Sequence, residues 1–504
     1  IEVRAVVKDR PNILFIMSDD HAATAISAYG SRLARTLPTP HLDRIADEGV
    51  RLDNCHCTNA ICTPSRATIL TGQHSHTNGV RTLADPLKPS ADTFVKHLQA
   101  AGYRTGMFGK WHVHTEPQGF DEYVVLPGQG LYSDPFFIHK DDDFDWAAAD
   151  PHNMRQGRQH VGYVTDLVTD FSLKFLEDHD GSQPFALFCQ HKAPHDDFEF
   201  AARHADLLKD VEVPEPANLW EDHSRRDPCT RHYGTSVSDR NPFRNAIITQ
   251  SRPDYPTGPL DVTGLDGVGR TKAAYQKYLK DYLRCVAAID ENVGRLLDHL
   301  HAHGLTENTI VIYTSDQGMF LGEHDYIDKR WIYDEALRMP FLVRYPCEIP
   351  AGSVNDALVT NVDFADTLLD YAGLDPMPAS QGKSFRPVLR GDTDVHHDAI
   401  YYRYWMHMTH HHNPAHYGIR TKTHKLIHFN GLPLDATGAL GYSTPPGWEL
   451  YDLANDPAED HNVYADPAQA EVVTTLKEQL RALKADLGDE DARYEEMTRL
   501  PTAL

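Results

Sequence analysis

The run Asn12-Ile13-Leu14-Phe15-Ile16-Met17 is apolar almost throughout and passes straight into Ser18-Asp19-Asp20. A strand with one wet face alternates apolar and polar residues; a nearly unbroken apolar run describes a strand covered on both faces, as in a parallel sheet between helices. Residues 104–109, 185–190, 310–314 and 340–345 read as further strands. Between them the period becomes helical. Tyr275, Tyr278, Leu279, Tyr282, Val286, Ile289, Val293, Leu296, Leu297 and Leu300 hold one long stripe, and Val164, Leu167, Val168, Phe171 and Phe175 a shorter one. The expected fold is therefore α/β, a large and mostly parallel sheet sandwiched by helices.

The texture changes twice. Residues 198–270 are rich in Pro, Asp, Arg and His with few periodic apolar positions, and predict a long surface excursion. After about residue 385, Ala399 to Arg403, His416 to Arg420 and His424 to Phe429 read as short antiparallel strands. A final helix follows, carrying Val472, Val473, Leu476, Leu480, Leu483 and Leu487 on one face. A chain of 504 residues outgrows one small core. It is expected to divide into a domain over 1–385 and a smaller α+β C-terminal domain over 386–504, containing the antiparallel sheet.

Net charge and cysteine usage narrow the function classes. A formal charge of -25 excludes nonspecific nucleic-acid binding, and it requires a local cationic pocket if the ligand is an anion. No stretch approaches a membrane span of about 20 apolar residues. The seven cysteines contain no C-x-x-C pair and do not indicate a disulfide framework. Localisation stays open: periplasmic or secreted if a signal peptide has been removed, otherwise cytoplasmic. Assembly as a homo-oligomer is equally open.

Two acidic pairs mark the chemistry. Asp19-Asp20 and Asp316-Gln317 each follow a predicted strand, and in open α/β sheets ligands gather at the carboxyl ends of strands. Carboxylates with an amide oxygen suit a hard dication: Ca²⁺ first, with Mg²⁺ or Mn²⁺ as alternatives. Either pair alone reads better as a turn or helix cap. A third element is Cys62-Thr63-Pro64-Ser65-Arg66, followed by Ala67-Thr68-Ile69-Leu70-Thr71-Gly72. Pro64 and Ser65 suit the first turn of a helix, which would set Cys62 at its electropositive end.

Here the chain resembles the type I sulfatases of the alkaline phosphatase superfamily. Their signature is Cys or Ser, any residue, Pro-Ser-Arg and a later Thr-Gly. Gly109-Lys110-Trp111-His112, His191-Lys192-Ala193-Pro194-His195 and Ser315-Asp316-Gln317-Gly318 continuing to Asp328-Lys329-Arg330 follow in family order. Trp448-Glu449-Leu450-Tyr451-Asp452-Leu453 with Asp456-Pro457 extends the likeness towards the C-terminus. The resemblance implies that a maturation enzyme oxidises Cys62 to formylglycine (3-oxoalanine), whose hydrate is the nucleophile. It implies a cation held by Asp19, Asp20, Cys62, Asp316 and Gln317. It also implies catalytic roles for Arg66, Lys110, His112, His195 and Lys329, with His195 or Lys329 as proton donor. Many members carry Asn where this chain has Gln317.

The implied activity is sulfuric ester hydrolysis, with a small-molecule or oligosaccharide sulfate ester as substrate. For the substrate rim, Trp405, His407 and His416 in the aromatic, histidine-rich segment 401–416 are candidates, together with His324. A packed domain junction explains that segment as well, and a second metal site there is a weaker alternative. Competing functions are a phosphonate monoester or phosphodiester hydrolase, an aryl or alkyl sulfatase, and a glycan-binding protein that has lost catalysis.

Overall fold

The computed structural model describes residues 10–504; the first nine residues of the expected first domain lie outside that range. Strand Asn12–Ser18 runs through the middle of a ten-stranded sheet. On one side follow Phe185–Gln190, Arg104–Lys110, Glu122–Leu126, Phe136–His139 and Arg158–Gln159; on the other, Thr309–Ser315, Phe341–Arg344, Val50–Leu52 and Ser353–Asn355. The five central strands from Thr309–Ser315 to Glu122–Leu126 are mutually parallel.

The uninterrupted apolar run of the first strand has a direct cause. Ile13, Phe15 and Met17 enter one hydrophobic core, whereas Leu14 and Ile16 enter a second core on the opposite face. The second core is built on helix Gly267–Ala302, whose Ile289, Val293, Leu296, Leu297 and Leu300 are all fully buried. Each such side chain contributes about 1.5–3 kcal/mol. Close strand approach also constrains the sequence. A Cβ on Gly109 would lie 2.0 Å from Gln190 O, and Gly109 has φ +102°, so only glycine fits immediately before Lys110.

Residues 341–344 form the expected strand, and its direction, which the sequence left open, is antiparallel to Thr309–Ser315. The chain leaves Ser315 at the carboxyl edge of the sheet, folds residues 316–340 across that edge, and returns from it, whereas a parallel return would need a crossover to the opposite edge. The 198–270 excursion is less superficial than its composition predicts. It buries Val213, Leu219, Val237 and Ala246 in the second core and secures its polar residues locally, Asn245 capping the short helix Ala246–Gln250.

The C-terminal sheet has four antiparallel strands, Ala399–Tyr404, His416–Thr421, His424–Phe429 and Gly447–Asp452. The fourth carries Trp448 and Leu450 into a small core with Leu476 and Leu480 of helix Ala470–Leu487, while Tyr451 joins the main core. Ile400, Tyr402, Tyr404, Ile427 and Phe429 also join the main core, so apolar packing is continuous across residue 385. No helix among the described residues is long and apolar enough to cross a membrane.

Candidate active site

Ser18 and Ser315 are register partners at the carboxyl ends of adjacent parallel strands, so the residues that follow them emerge side by side. Asp20 N donates to Asp316 Oδ1 at 3.2 Å. Asp19, Asp20 and Asp316 bring carboxylate oxygens within 4.8 Å of one another, and all three are buried. Such a concentration of carboxylates away from water is stable only if cations answer it.

The protein's own cations do so in part. Lys110 Nζ donates to Asp19 Oδ2, and Lys329 Nζ donates to Asp20 Oδ2 at 2.5 Å. Arg66 Nε reaches Asp316 Oδ2 at 2.9 Å, while its Nη1 donates to Lys110 O at 2.6 Å and to Gln190 Oε1 at 2.8 Å. Burial still pushes the Asp20 carboxyl up to about 7; Lys329 opposes this, while Asp316 and Asp328 reinforce it. Burial holds the Lys110 ammonium well below its ordinary range. Lys329 differs: burial opposes its charge, but Asp20 and Cys62 outweigh it and hold the ammonium above the usual value.

Cys62 begins helix Cys62–Thr71, every residue of which is buried. Its thiol donates to Asp19 Oδ1 at 3.2 Å, and burial pushes it up to about 12, so it is a thiol rather than a thiolate at neutral pH. The helix is pinned to the sheet edge by Ser65 Oγ, which donates to Asp316 O, and by Asn361 Nδ2, which donates to Ser65 Oγ at 2.9 Å.

The donor set fits a hard dication. Gln317 Nε2 donates to Asp20 Oδ1 at 2.5 Å, and its Oε1 is buried with no partner. A half-turn of that amide exchanges the two atoms and adds a carbonyl oxygen to the three carboxylates, the all-oxygen environment such ions prefer.

Above this cluster opens a cavity of about 550 Å³, lined by Cys62, His112, His195 and Lys329, and by Asp196, Arg244, Asp328, Arg330, His410 and His411 among others. Burial, reinforced by Lys110, holds His112 well below the ordinary imidazole range. His195 Nδ1 faces Asp196 Oδ1 at 2.7 Å and its Nε2 lies 3.8 Å from Asp20 Oδ2; burial first, then Lys110, push it down to about 3.

Of the sequence-derived residues, Asp19, Asp20, Cys62, Arg66, Lys110, His112, His195, Asp316, Gln317 and Lys329 thus converge on one locality. His324, Trp405, His407 and His416 do not reach the cavity. His324 is fully buried against Glu221 (2.7 Å) and Arg226 (3.0 Å). Trp405 lies beneath the Arg403 guanidinium, 3.6 Å from the ring centroid. His407 accepts from Ala415 N at 3.0 Å, and His416 stacks on Tyr402. Their neighbours Met406, Thr409, His410 and His411 line the cavity instead, because Met408, His410 and His412 adopt left-handed backbone that reorients successive side chains.

The sequence marks residues 198–270 as a segment that could shape the pocket without singling out Arg244, and gives no sign of Asp196, Gln129 or Gln190. Gln129 Oε1 accepts from Lys110 Nζ at 2.5 Å. Asp328 and Arg330, by contrast, flank Lys329 within the segment that carries the sulfatase resemblance.

A mixed sheet carrying three carboxylates and a helix-start cysteine at its carboxyl edge defines a hydrolase of the alkaline phosphatase-like class. The sulfatase family's sequence pattern matches residues 11–374, and that of the N-sulphoglucosamine sulphohydrolase C-terminal family matches 322–486. The chain belongs to the sulfatase family and is a sulfuric ester hydrolase. It is 39% identical to the N-acetylglucosamine-6-O-sulfatase of Bacteroides thetaiotaomicron, over 96% of this chain and 88% of that protein. A solved structure described as a complex with its substrate D-glucosamine-2-N,6-O-disulfate superposes with a TM-score of 0.83 at 37% identity, covering 96% of this chain and all of that one. The phosphonate monoester hydrolase of Agrobacterium radiobacter shares the fold, with a TM-score of 0.70 at 22% identity over 95% of this chain and 96% of that one.

Proposed function

We propose that the chain releases sulfate from the 6-O position of a glucosamine-type sugar, with Cys62 converted to formylglycine by a maturation enzyme. The observation that carries this reading is the position of Cys62 at the floor of the cavity, 3.2 Å from Asp19 and at the start of a buried helix. The likeness to an N-acetylglucosamine-6-O-sulfatase along nearly the whole chain supports the sugar. When bound, a calcium ion held by Asp19, Asp20, Asp316 and Gln317 would polarise sulfate oxygens and acidify the hydrated aldehyde at position 62.

The remaining roles fall to the chain's own side chains. Lys110 and Lys329, held in place by carboxylates, neutralise the charge on the transferring group. Arg66 holds Asp316 and the main chain at Lys110, and so fixes the spacing of the nucleophile helix against the sheet edge. His112 stands ready to accept a proton at position 62, since burial keeps its imidazole neutral. His195 donates a proton to the departing sugar oxygen; Asp196 behind it and the anionic ester in front both raise its proton affinity on binding. Arg244, Asp328, Arg330, His410 and His411 provide the polar contacts for sugar hydroxyl and amide groups. With a dication bound among the three carboxylates, the floor would become locally cationic, which reconciles an anionic substrate with a net charge of -25.

Two measurements test the reading. Peptide mass spectrometry of the Cys62 segment, after coexpression with a formylglycine-generating enzyme, should find the thiol replaced by an aldehyde. Sulfate release from a panel of sulfated monosaccharides should favour N-acetylglucosamine-6-sulfate. Full activity with unmodified Cys62 would overturn the nucleophile, and stronger turnover of an aryl phosphonate monoester would overturn the substrate class.

A further inference from the structure

Outside the cavity, where the chain enters the C-terminal sheet, His396 and His397 turn both imidazoles onto Asp363. His397 Nε2 lies 2.8 Å and His396 Nε2 3.5 Å from Asp363 Oδ2, and the three groups offer ligand atoms within 4.8 Å of one another. The two rings are 4.4 Å apart at 71°, so neighbouring histidines converge rather than pointing to opposite sides.

Hydrogen bonding accounts for His397 but not for His396. Asp363 Oδ2 already accepts from Thr360 N at 2.8 Å, Thr360 Oγ1 at 2.9 Å and His397 Nε2 at 2.8 Å, and Oδ1 accepts from Lys383 N at 3.1 Å. That leaves His396 Nε2 buried without a hydrogen-bond partner, on a side chain only 6% exposed. A buried imidazole nitrogen left without a partner, aimed at a carboxylate and a second imidazole, describes a site short of one cation. Thr360 and the Lys383 amide would orient the carboxylate from behind, as outer-shell partners of a metal ligand do. His397, 24% exposed, leaves a path for solvent to complete the coordination.

We propose that Asp363, His396 and His397 form a second cation site, selective for a transition-metal dication of the zinc type. Two imidazoles and one carboxylate suit zinc, whereas calcium and magnesium prefer oxygen ligands such as those beside Cys62. The site has a structural consequence. Asp363 follows Asn361 by two residues; the Asn361 side chain accepts from Thr58 N at 3.2 Å and donates to Ser65 Oγ at 2.9 Å. A metal here ties the segment leading into the C-terminal sheet to the turn that braces the nucleophile helix. The inference shares no residue with the active site and does not depend on the sugar assignment.

The test uses the full chain, stripped with chelator and held in saturating Ca²⁺ so that the oxygen-rich site is occupied. Titration with Zn²⁺ should show one equivalent bound and a rise in Tm, and Co²⁺ should give the visible absorption of a nitrogen-containing site. His396→Ala and His397→Ala should each weaken Zn²⁺ binding at least about tenfold, while Ca²⁺ binding stays unchanged. X-ray absorption on the zinc-loaded parent protein should find two imidazoles per zinc, a reading that needs no variant to fold. No zinc uptake, an oxygen-only shell, or unaltered zinc binding in both variants would overturn the proposal.

Discussion

Cys62 Sγ lies 3.2 Å from Asp19 Oδ1, a contact between the start of a helix and the end of a strand 43 residues earlier. On the proposed reading it makes the nucleophile position and the cation site one unit. Cys62→Ala should lower sulfate release on the order of 10⁴-fold or more, with little change in Tm, as expected for loss of a nucleophile. Asp19→Asn should weaken the cation at least about tenfold, and raising the cation concentration should restore part of the activity. Calorimetric titration with Ca²⁺, run beside the kinetics, separates the two effects.

Arg66 is a buried cation whose loss leaves Asp316 without its guanidinium. Arg66→Met should destabilise the protein by about 3–5 kcal/mol, the cost of an uncompensated buried charge. Arg66→Lys should recover only part of this, since a lysine cannot reach Asp316, Lys110 O and Gln190 together. Denaturant unfolding of both variants measures it.

Asp20 links cation binding to pH. Its carboxyl, raised to about 7 mainly by burial, must lose its proton to ligate a dication. Apparent Ca²⁺ affinity should therefore fall by up to about tenfold per pH unit below pH 7 and level off above it. The sign for stability is the reverse in the stripped protein. A raised carboxyl contributes stability below its unfolded value and loses it as pH rises towards 7, so the gain in Tm from Ca²⁺ should grow between pH 5 and pH 8. Gln317→Asn, which shortens the amide arm, should alter Ca²⁺ affinity without moving this pH dependence.

His195 as proton donor carries a kinetic signature. His195→Ala should lower kcat/KM for a sugar sulfate by about 10²–10⁴-fold, but far less for an aryl sulfate whose phenol leaves without a proton. Equal losses on both substrates would assign His195 to binding instead.

Phe243 is 78% exposed, packs edge-on against His412, and immediately precedes Arg244 at the cavity. An exposed ring at the rim suits stacking against a second sugar. Phe243→Ala should raise KM for a sulfated oligosaccharide several-fold and leave the monosaccharide sulfate unaffected; initial-rate kinetics on both would show it.

The motifs were legible because their chemistry is local. Asp19-Asp20 and Asp316-Gln317 stand directly after apolar strands and together suit a cation, Pro64-Ser65 suits a helix start at Cys62, and the resemblance of the Cys62–Gly72 segment to the sulfatase signature supplied the nucleophile. The substrate rim was not legible in the same way. Trp405, His407 and His416 match the composition of a sugar site, yet whether such side chains face a cavity or a core depends on backbone direction at Met408, His410 and His412, which no periodicity reports. Arg244 was hidden for a related reason: a segment without periodic pattern carries no signal of where its side chains end.

What the sequence determined by itself is therefore the central parallel sheet and the identity of the groups at its carboxyl edge, because burial on both faces and turn chemistry act within a few residues. Tertiary structure decided the direction of strand 341–344, the entry of residues 198–270 into the core and the cavity wall, and which histidines of segment 401–416 look inward. Each of these rests on contacts between residues far apart in the chain, where the free energy of burial is settled only once the partners have met.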